Sequence, residues 1–315
     1  MNILELLGNP VDKPHLVVVI GKGGVGKTTV SILLALELCN HGKTLLLSLD
    51  PARHMSKYLS VGSRDFVELS ERLHVKQVSI EKEISDMTSK YAELLRELMP
   101  SLVVLNIESV VDTIKYSPGV EEEVFLKKMQ EALRGDYDYV VIDTPPTGIT
   151  LRTLMLPRLY LTWLSKLIEV RERIVSLRYV IARTLGRRVE TYDKVLTKLY
   201  EMKRDFEHLN AIISSGDKTS YVIVATPEPL PMYELNESYK FLVEKMGVKP
   251  KLLVVNKILP ESVARELGLL DEQKRFVNEI DNYGVNYMLV EHLAKPTESL
   301  EDVLALRGKV KVFKK

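Results

Sequence analysis

Seven short apolar, β-branched runs recur along the chain: HLVVVIG, TLLLSLD, VKQVSI, YVVIDTPP, YVIVATPEP, KLLVVNK and VNYMLVE. Each has the length of a strand, and several close on the Gly, Asp, Pro or Asn that turns a strand into a loop. Their hydrophobicity is two-sided, the pattern of a parallel sheet covered by helices on both faces. The expected fold is therefore α/β, a doubly wound and mostly parallel sheet. Its functional loops should gather at the C-terminal strand ends. The last residues, GKVKVFKK, read either as an edge strand with a basic tail or as a solvated tail.

Two stretches break the alternation of strand and helix. From about 84 to 133, Ile84, Met87, Tyr91, Leu94, Leu95 and Leu98 recur at helical spacing. From Leu151 to about Leu209 there is only helical pattern, punctuated by Pro157 and Gly186. Both are read as insertions, at about 84–133 and 151–212, forming one α-helical subdomain within a single domain spanning 1–315. The whole unit is not repeated, and one phosphate-loop pattern is present.

Composition narrows the class. With 45% hydrophobic and 28% charged residues, 315 residues bury a sizeable core. The net charge of +1 gives no bulk attraction to nucleic acid or an anionic membrane, so no specific nucleic-acid partner is expected. Cys39 is the sole cysteine, which excludes an internal disulfide and any C-x-x-C motif. The first residues, MNILELLGNPVDKPH, lack the basic and apolar regions of a signal peptide. A cytoplasmic protein is expected, peripheral in any contact with a membrane.

The chemistry starts in VVVIGKGGVGKTTVSILLALEL. Gly21-x-x-x-x-Gly26-Lys27-Thr28 satisfies the phosphate-loop pattern between an expected strand and an expected helix. Gly21, Gly23, Gly24 and Gly26, with Val25, let backbone N–H groups wrap phosphates, and the helix N-terminus adds its positive end. Lys27 is expected on the β- and γ-phosphates, the Thr28 hydroxyl on Mg²⁺, and Thr29 on the α-phosphate. The surplus residue is Lys22. It is either a solvated surface lysine or a second cation for the charge that develops in phosphoryl transfer. Asp50, in DPARHMSKYL, and Asp143, in VVIDTPPTGITLRTL, each end an expected strand near this loop. Each is a candidate for orienting water or supporting Mg²⁺, against the plainer role of capping a loop.

The loop GKGGVGKTT resembles the deviant phosphate loop of the signal-recognition-like, partition and nitrogenase-reductase ATPases. With DPARHMS, DTPPTGITLR, TPEPLPMYE and VVNK, the chain is similar to the arsenical-pump ATPase and tail-anchored-protein targeting ATPase family. The resemblance runs from Gly21 to about Lys257. It implies a homodimer, or a higher oligomer when loaded, with Lys22 crossing to the partner's phosphates. It further implies that Asp50 positions the hydrolytic water and that Asp143 supports Mg²⁺ through water. Residues 144–150 would form the second switch, Asn256 would read the adenine edge, and Pro227 and Glu228 would line the nucleotide across the dimer. ATP and Mg²⁺ are the implied cofactors. Arg53-His54, Pro145 and Ile149 depart from the family's usual His-Asn, Ala and His.

A metalloid site built on several thiolates needs more than Cys39, and so does the paired-cysteine zinc site of eukaryotic targeting factors. No zinc is expected. A hydrophobic cargo is expected instead. LMLPRLYLTWLSKLIEV carries Leu156, Leu159, Tyr160, Trp163, Leu164, Leu167 and Ile168 on a broad apolar face, a client groove if open and core if packed. Met87, Met99, Met129 and Met155 add adaptable packing surface. The favoured reading is an ATPase that delivers transmembrane segments of tail-anchored proteins to a membrane receptor. The alternatives are an ATPase subunit driving an anion or metalloid transporter, and a partition-type ATPase cycling on a surface.

Overall fold

The computed structural model describes residues 3–7, 13–51, 55, 58–59, 65–98, 115, 117–186, 192–293, 297 and 299–315. Arg53, His54 and Met99 lie outside them, as do the side chains of Tyr91, Leu94, Leu95 and Leu98. In chain order the elements are α1 (Ile3–Leu7), β1 (His15–Gly21), α2 (Lys27–Leu38), β2 (Thr44–Ser48), β3 (Phe66–Ser70), β4 (Leu73–Gln77) and α3 (Ile80–Leu98). Next come α4 (Val120–Leu133), β5 (Tyr139–Asp143), α5 (Thr147–Thr184), α6 (Lys194–Ile213), β6 (Thr219–Ala225) and α7 (Pro229–Lys240). The chain closes with β7 (Leu252–Ile258), α8 (Glu261–Glu266), α9 (Leu270–Asp281), β8 (Tyr287–Glu291), α10 (Leu300–Leu306) and β9 (Val310–Phe313).

Among the described residues nine strands form one sheet in the order β3-β4-β2-β5-β1-β6-β7-β8-β9. Pairing is parallel from β4 through β8 and antiparallel at both edges, where β3 meets β4 and β9 meets β8. The C-terminal run is thus an edge strand. β1 explains the two-sided hydrophobicity. Leu16, Val18 and Ile20 pack into a core with α4, α6 and α7, while Val17 and Val19 pack into a second core with α2 and α10. Each such buried aliphatic side chain contributes roughly 1.5–3 kcal/mol. Strand order reverses at β1, since β2 lies beyond β5 on one side and β6 lies on the other. That reversal opens a crevice at the end of β1.

Two elements go beyond the sequence expectation. β3 is a half-exposed edge strand, FVELS, too polar to read as buried sheet. The helical stretch expected from Leu151 begins earlier, at Thr147, and runs unbroken through Pro157. An interior proline removes one helical hydrogen bond, but here Pro157 and its neighbour Leu154 are buried. Arg158 then ties the helix down by donating to the carbonyls of Lys245 and Met246 at 2.6 and 3.3 Å. Gly186, with φ 63°, follows the end of the helix in a left-handed conformation that glycine adopts without strain.

Buried His15 gives the fold a pH dependence. Its ring lies 2.8 Å from the Ser220 hydroxyl, and burial pulls the imidazole down from 6.5 to about 4. The unfolded chain therefore takes up the proton first. The stabilisation is whole above pH 6.5 and is lost as pH falls toward 4, by about 3 kcal/mol in all. A urea-midpoint titration should show this loss, and His15→Phe should flatten it across that window.

Candidate functional site

The loop between β1 and α2 lies in this crevice. Gly21 is held there by close approach, because a Cβ would strike the Val224 carbonyl of β6. Gly26 has φ 94°, and a Cβ on it would strike the Asn256 amide. Three of the loop carbonyls accept from side chains. Lys27 Nζ donates to Lys22 O at 3.1 Å, Lys257 Nζ to Gly24 O at 2.8 Å, and Asn256 Nδ2 to Val25 O at 2.8 Å. A loop whose carbonyls are engaged in this way leaves its N–H groups as the binding face for an anion.

Beside it, Asp143 at the end of β5 is fully buried. Its carboxylate accepts from Thr28 Oγ1 at 2.9 Å and, more loosely, from Ser31 and Ser48 at 3.4 Å. Burial pushes its carboxyl up to about 7, against the Thr28 hydrogen bond and the Lys27 charge; Asp50 adds a smaller upward push. Burial likewise holds Lys27 below its ordinary value, opposed by Asp143, Asp50 and Glu234. One lysine and two carboxylates thus act on one another, Lys27 and Asp143 buried and Asp50 half-buried.

Lys27 and Asp50 front a cavity of about 610 Å³, while Asp143 is not part of its wall and reaches it only through its hydrogen bond from Thr28. Gly23, Gly24, Gly26, Lys27, Thr28, Thr29, Asp50 and Asn256 all line it. So does Pro146, which caps the N-terminus of α5, so the positive ends of α2 and α5 flank one space. Gly21, Lys22, Val25, Pro227 and Glu228 are not part of that wall. Lys22 is half-buried within the loop, Pro227 is half-buried, and Glu228 is exposed at the start of α7.

Sequence reasoning missed Tyr58, Lys257, Glu291, His292, Leu293, Thr297 and Leu306, which complete the lining. Tyr58 accepts from Thr29 at 3.4 Å. Lys257 was signalled by its place beside Asn256 in VVNK, and Ser31 by its helical spacing from Thr28. The wall from 291 to 306 has no local signal, because only the folded chain brings it across from β1.

The apolar face expected on α5 divides in two. Leu164 and Ile168 are buried, and Leu156 and Tyr160 pack partly against the core, with the Tyr160 ring 4.8 Å from that of Phe206. Leu159, Trp163 and Leu167 are exposed, Trp163 by 55%. The first four are thus packing residues in this chain, because a helix lying on a neighbour buries only the side it turns inward.

Comparison with known proteins places this architecture. The family model described as anion-transporting ATPase matches residues 15–300. The chain belongs to the anion-transporting ATPase family. It is an ATPase, built on the α/β fold expected from its strand pattern. A protein of Aquifex aeolicus provisionally named arsenical pump-driving ATPase 2 is 31% identical over 301 residues, covering 94% of this chain and 96% of its own. ATPase get3 of Pyrenophora tritici-repentis is 29% identical over 247 residues, 76% of this chain and 72% of its own. An ATPase ASNA1 homolog of Entamoeba dispar is 28% identical over 247 residues, 76% of this chain and 75% of its own.

Proposed function

We propose that this ATPase works as a homodimer that holds transmembrane helices of tail-anchored proteins and delivers them to a membrane receptor. One observation carries the reading. Leu159, Trp163, Leu167, Val170, Ile174, Leu177 and Ile181 are all exposed. They follow one another along α5 at spacings of three or four residues, which puts them on one helix face. At 1.5 Å per residue the stripe is roughly 33 Å long, close to the roughly 30 Å of a bilayer's hydrocarbon core. An apolar surface of that extent marks an interaction site. Among the described residues no helix is itself long and apolar enough to cross a membrane. The stripe therefore suits a visitor of that kind rather than an anchor.

The same helix starts at the nucleotide end of the molecule, beside Pro146 of the cavity wall. A rearrangement of residues 144–150 around a phosphate would therefore move the base of the element that carries the stripe. In the cavity, the loop N–H groups, Lys27 and Thr29 hold ATP. Asp50 accepts a hydrogen bond from a water and aligns it with the γ-phosphorus. The new P–O bond forms as the bond to the bridging oxygen breaks, the water's proton passes to a phosphate oxygen, and ADP and phosphate leave. Lys27 and the partner subunit's Lys22 stabilise the developing charge. The oxygen-only set of Thr28 and Asp143 fits Mg²⁺; these two residues would hold the ion, which would neutralise phosphate charge. Pro227 and Glu228, outside the cavity of their own chain, face the partner's nucleotide.

The pump-driving reading rests on names: two Aquifex aeolicus relatives are called arsenical pump-driving ATPases, and the family model is described as anion-transporting. Against it stands a single cysteine, Cys39, whose thiol bonds to the Leu36 carbonyl and is held above its usual value by burial. A thiolate cluster for a soft metalloid needs several such residues.

Leu167→Asp combined with Ile174→Asp tests the stripe. Both sites are exposed, so the substitutions should leave stability within about 0.5 kcal/mol each. A transmembrane peptide should then bind at least about tenfold more weakly, the loss of two buried aliphatic side chains. Unchanged peptide affinity in fluorescence titration would remove the basis for the reading.

A further inference from the structure

The end of β7 departs from regular strand geometry in three ways that converge on one residue. Val255 pairs with Leu289 and Ile258 with Glu291, so β7 carries Asn256 and Lys257 where β8 carries Val290 alone. This is a bulge, a device that re-aims side chains beside functional sites. Lys257 has φ 61°, the sole positive φ at a non-glycine among the described residues. A lysine gains nothing locally from that conformation, which side chains with a Cβ resist, so the surrounding contacts must hold it. Those contacts are on the phosphate loop. Two consecutive side chains, Asn256 and Lys257, donate to two consecutive loop carbonyls, Val25 and Gly24.

We infer that Lys257 is a positioning residue for the phosphates of the nucleotide, acting through the loop. A free Gly24 carbonyl at the cavity wall would present negative charge to the phosphates. Bonded to an ammonium, that carbonyl is neutralised and its peptide plane is fixed, which also fixes the N–H groups on either side of it. The bulge aims the ammonium at the loop, and its backbone strain is the cost of that aim. Asn256 holds the adjoining peptide in the same manner and bars any side chain at position 26. The residue thus determines how tightly polyphosphate is gripped, whichever base is attached.

The inference rests on the cavity being the nucleotide site, and the test separates the two. Calorimetry with inorganic tripolyphosphate, ADP and ATP, each with magnesium, is compared for the parent chain, Lys257→Met, Lys257→Gly and Lys257→Arg. Glycine accepts the backbone angle freely, so Lys257→Gly keeps the measurement open if the methionine variant folds poorly. Both variants without the ammonium should bind all three probes about tenfold more weakly, the equivalent of one charge-assisted hydrogen bond. The unliganded Tm should fall in Lys257→Met, which keeps the strained angle without the contact that holds it, and stay nearer the parental value in Lys257→Gly. Lys257→Arg should restore most of the affinity. Parental affinity in Lys257→Met and Lys257→Gly would overturn the proposal. So would weakened ADP binding with undiminished tripolyphosphate binding, which would move the contact to the base. A parent chain that bound none of the probes would overturn the nucleotide reading and the proposal with it.

Discussion

Asp50→Asn should bind ATP within about twofold of the parent chain and hydrolyse it at least about a hundredfold more slowly, the scale set by removing a group that orients the reacting water. The two halves have separate causes. In the proposed mechanism, binding rests on the loop N–H groups, Lys27 and Thr29, none of which the substitution touches. Loss of one negative charge from a cavity that receives a polyphosphate weakens nothing and relieves some repulsion. Turnover in that mechanism rests on a carboxylate that can accept a hydrogen bond from water, and the neutral amide is a poorer acceptor with one face turned donor. Asp50 lines the cavity and lies close enough to Lys27 and Asp143 to shift both, so its charge is felt throughout the site. Single-turnover phosphate release and equilibrium binding of labelled ATP measure the two quantities separately. Full turnover in the variant would remove Asp50 from the chemistry.

Lys22→Ala should lower turnover by about a thousandfold with Lys27 intact, the effect of withdrawing a cation supplied in trans. The structure gives a reason to look across a dimer. Only the Lys22 carbonyl serves its own loop, as the acceptor for Lys27, and Lys22 is not part of its own cavity wall. A mixture of Lys22→Ala and Asp50→Asn chains sharpens the test. In a mixed dimer, one site keeps its own Asp50 and receives an intact Lys22 from its neighbour. Two nearly inert preparations should then regain about a quarter of parental turnover on mixing, since half the dimers are mixed and each has one sound site. A mixture as inactive as its components would confine Lys22 to its own chain.

Much of this architecture is legible from residues alone, for identifiable reasons. Parallel strands buried on both faces leave continuous runs such as HLVVVI, and a loop that must wrap phosphate leaves glycines at Gly21 and Gly26 whose absent Cβ atoms can be accounted for atom by atom. Edge strand β3 escaped because half of it faces water. The course of α5 through Pro157 escaped because tertiary contacts, Arg158 above all, override the local cost of proline. The apolar face of α5 was read as one surface, although Leu164 and Leu167 have opposite fates. Periodicity marks which residues share a side of a helix and cannot tell which part of that side a neighbour covers. The far wall of the cavity, from Glu291 to Leu306, depends on long-range closure of the sheet and carries no pattern of its own.

The central claim is that ATP at the cavity makes the stripe on α5 a seat for a hydrophobic helix. A photoreactive residue at position 167 of the Asp50→Asn chain, irradiated with a transmembrane peptide, tests it most directly. The account predicts a strong peptide adduct on an ATP-bound dimer and little adduct with ADP. Equal labelling in both nucleotide states, or labelling of a monomer, would contradict it.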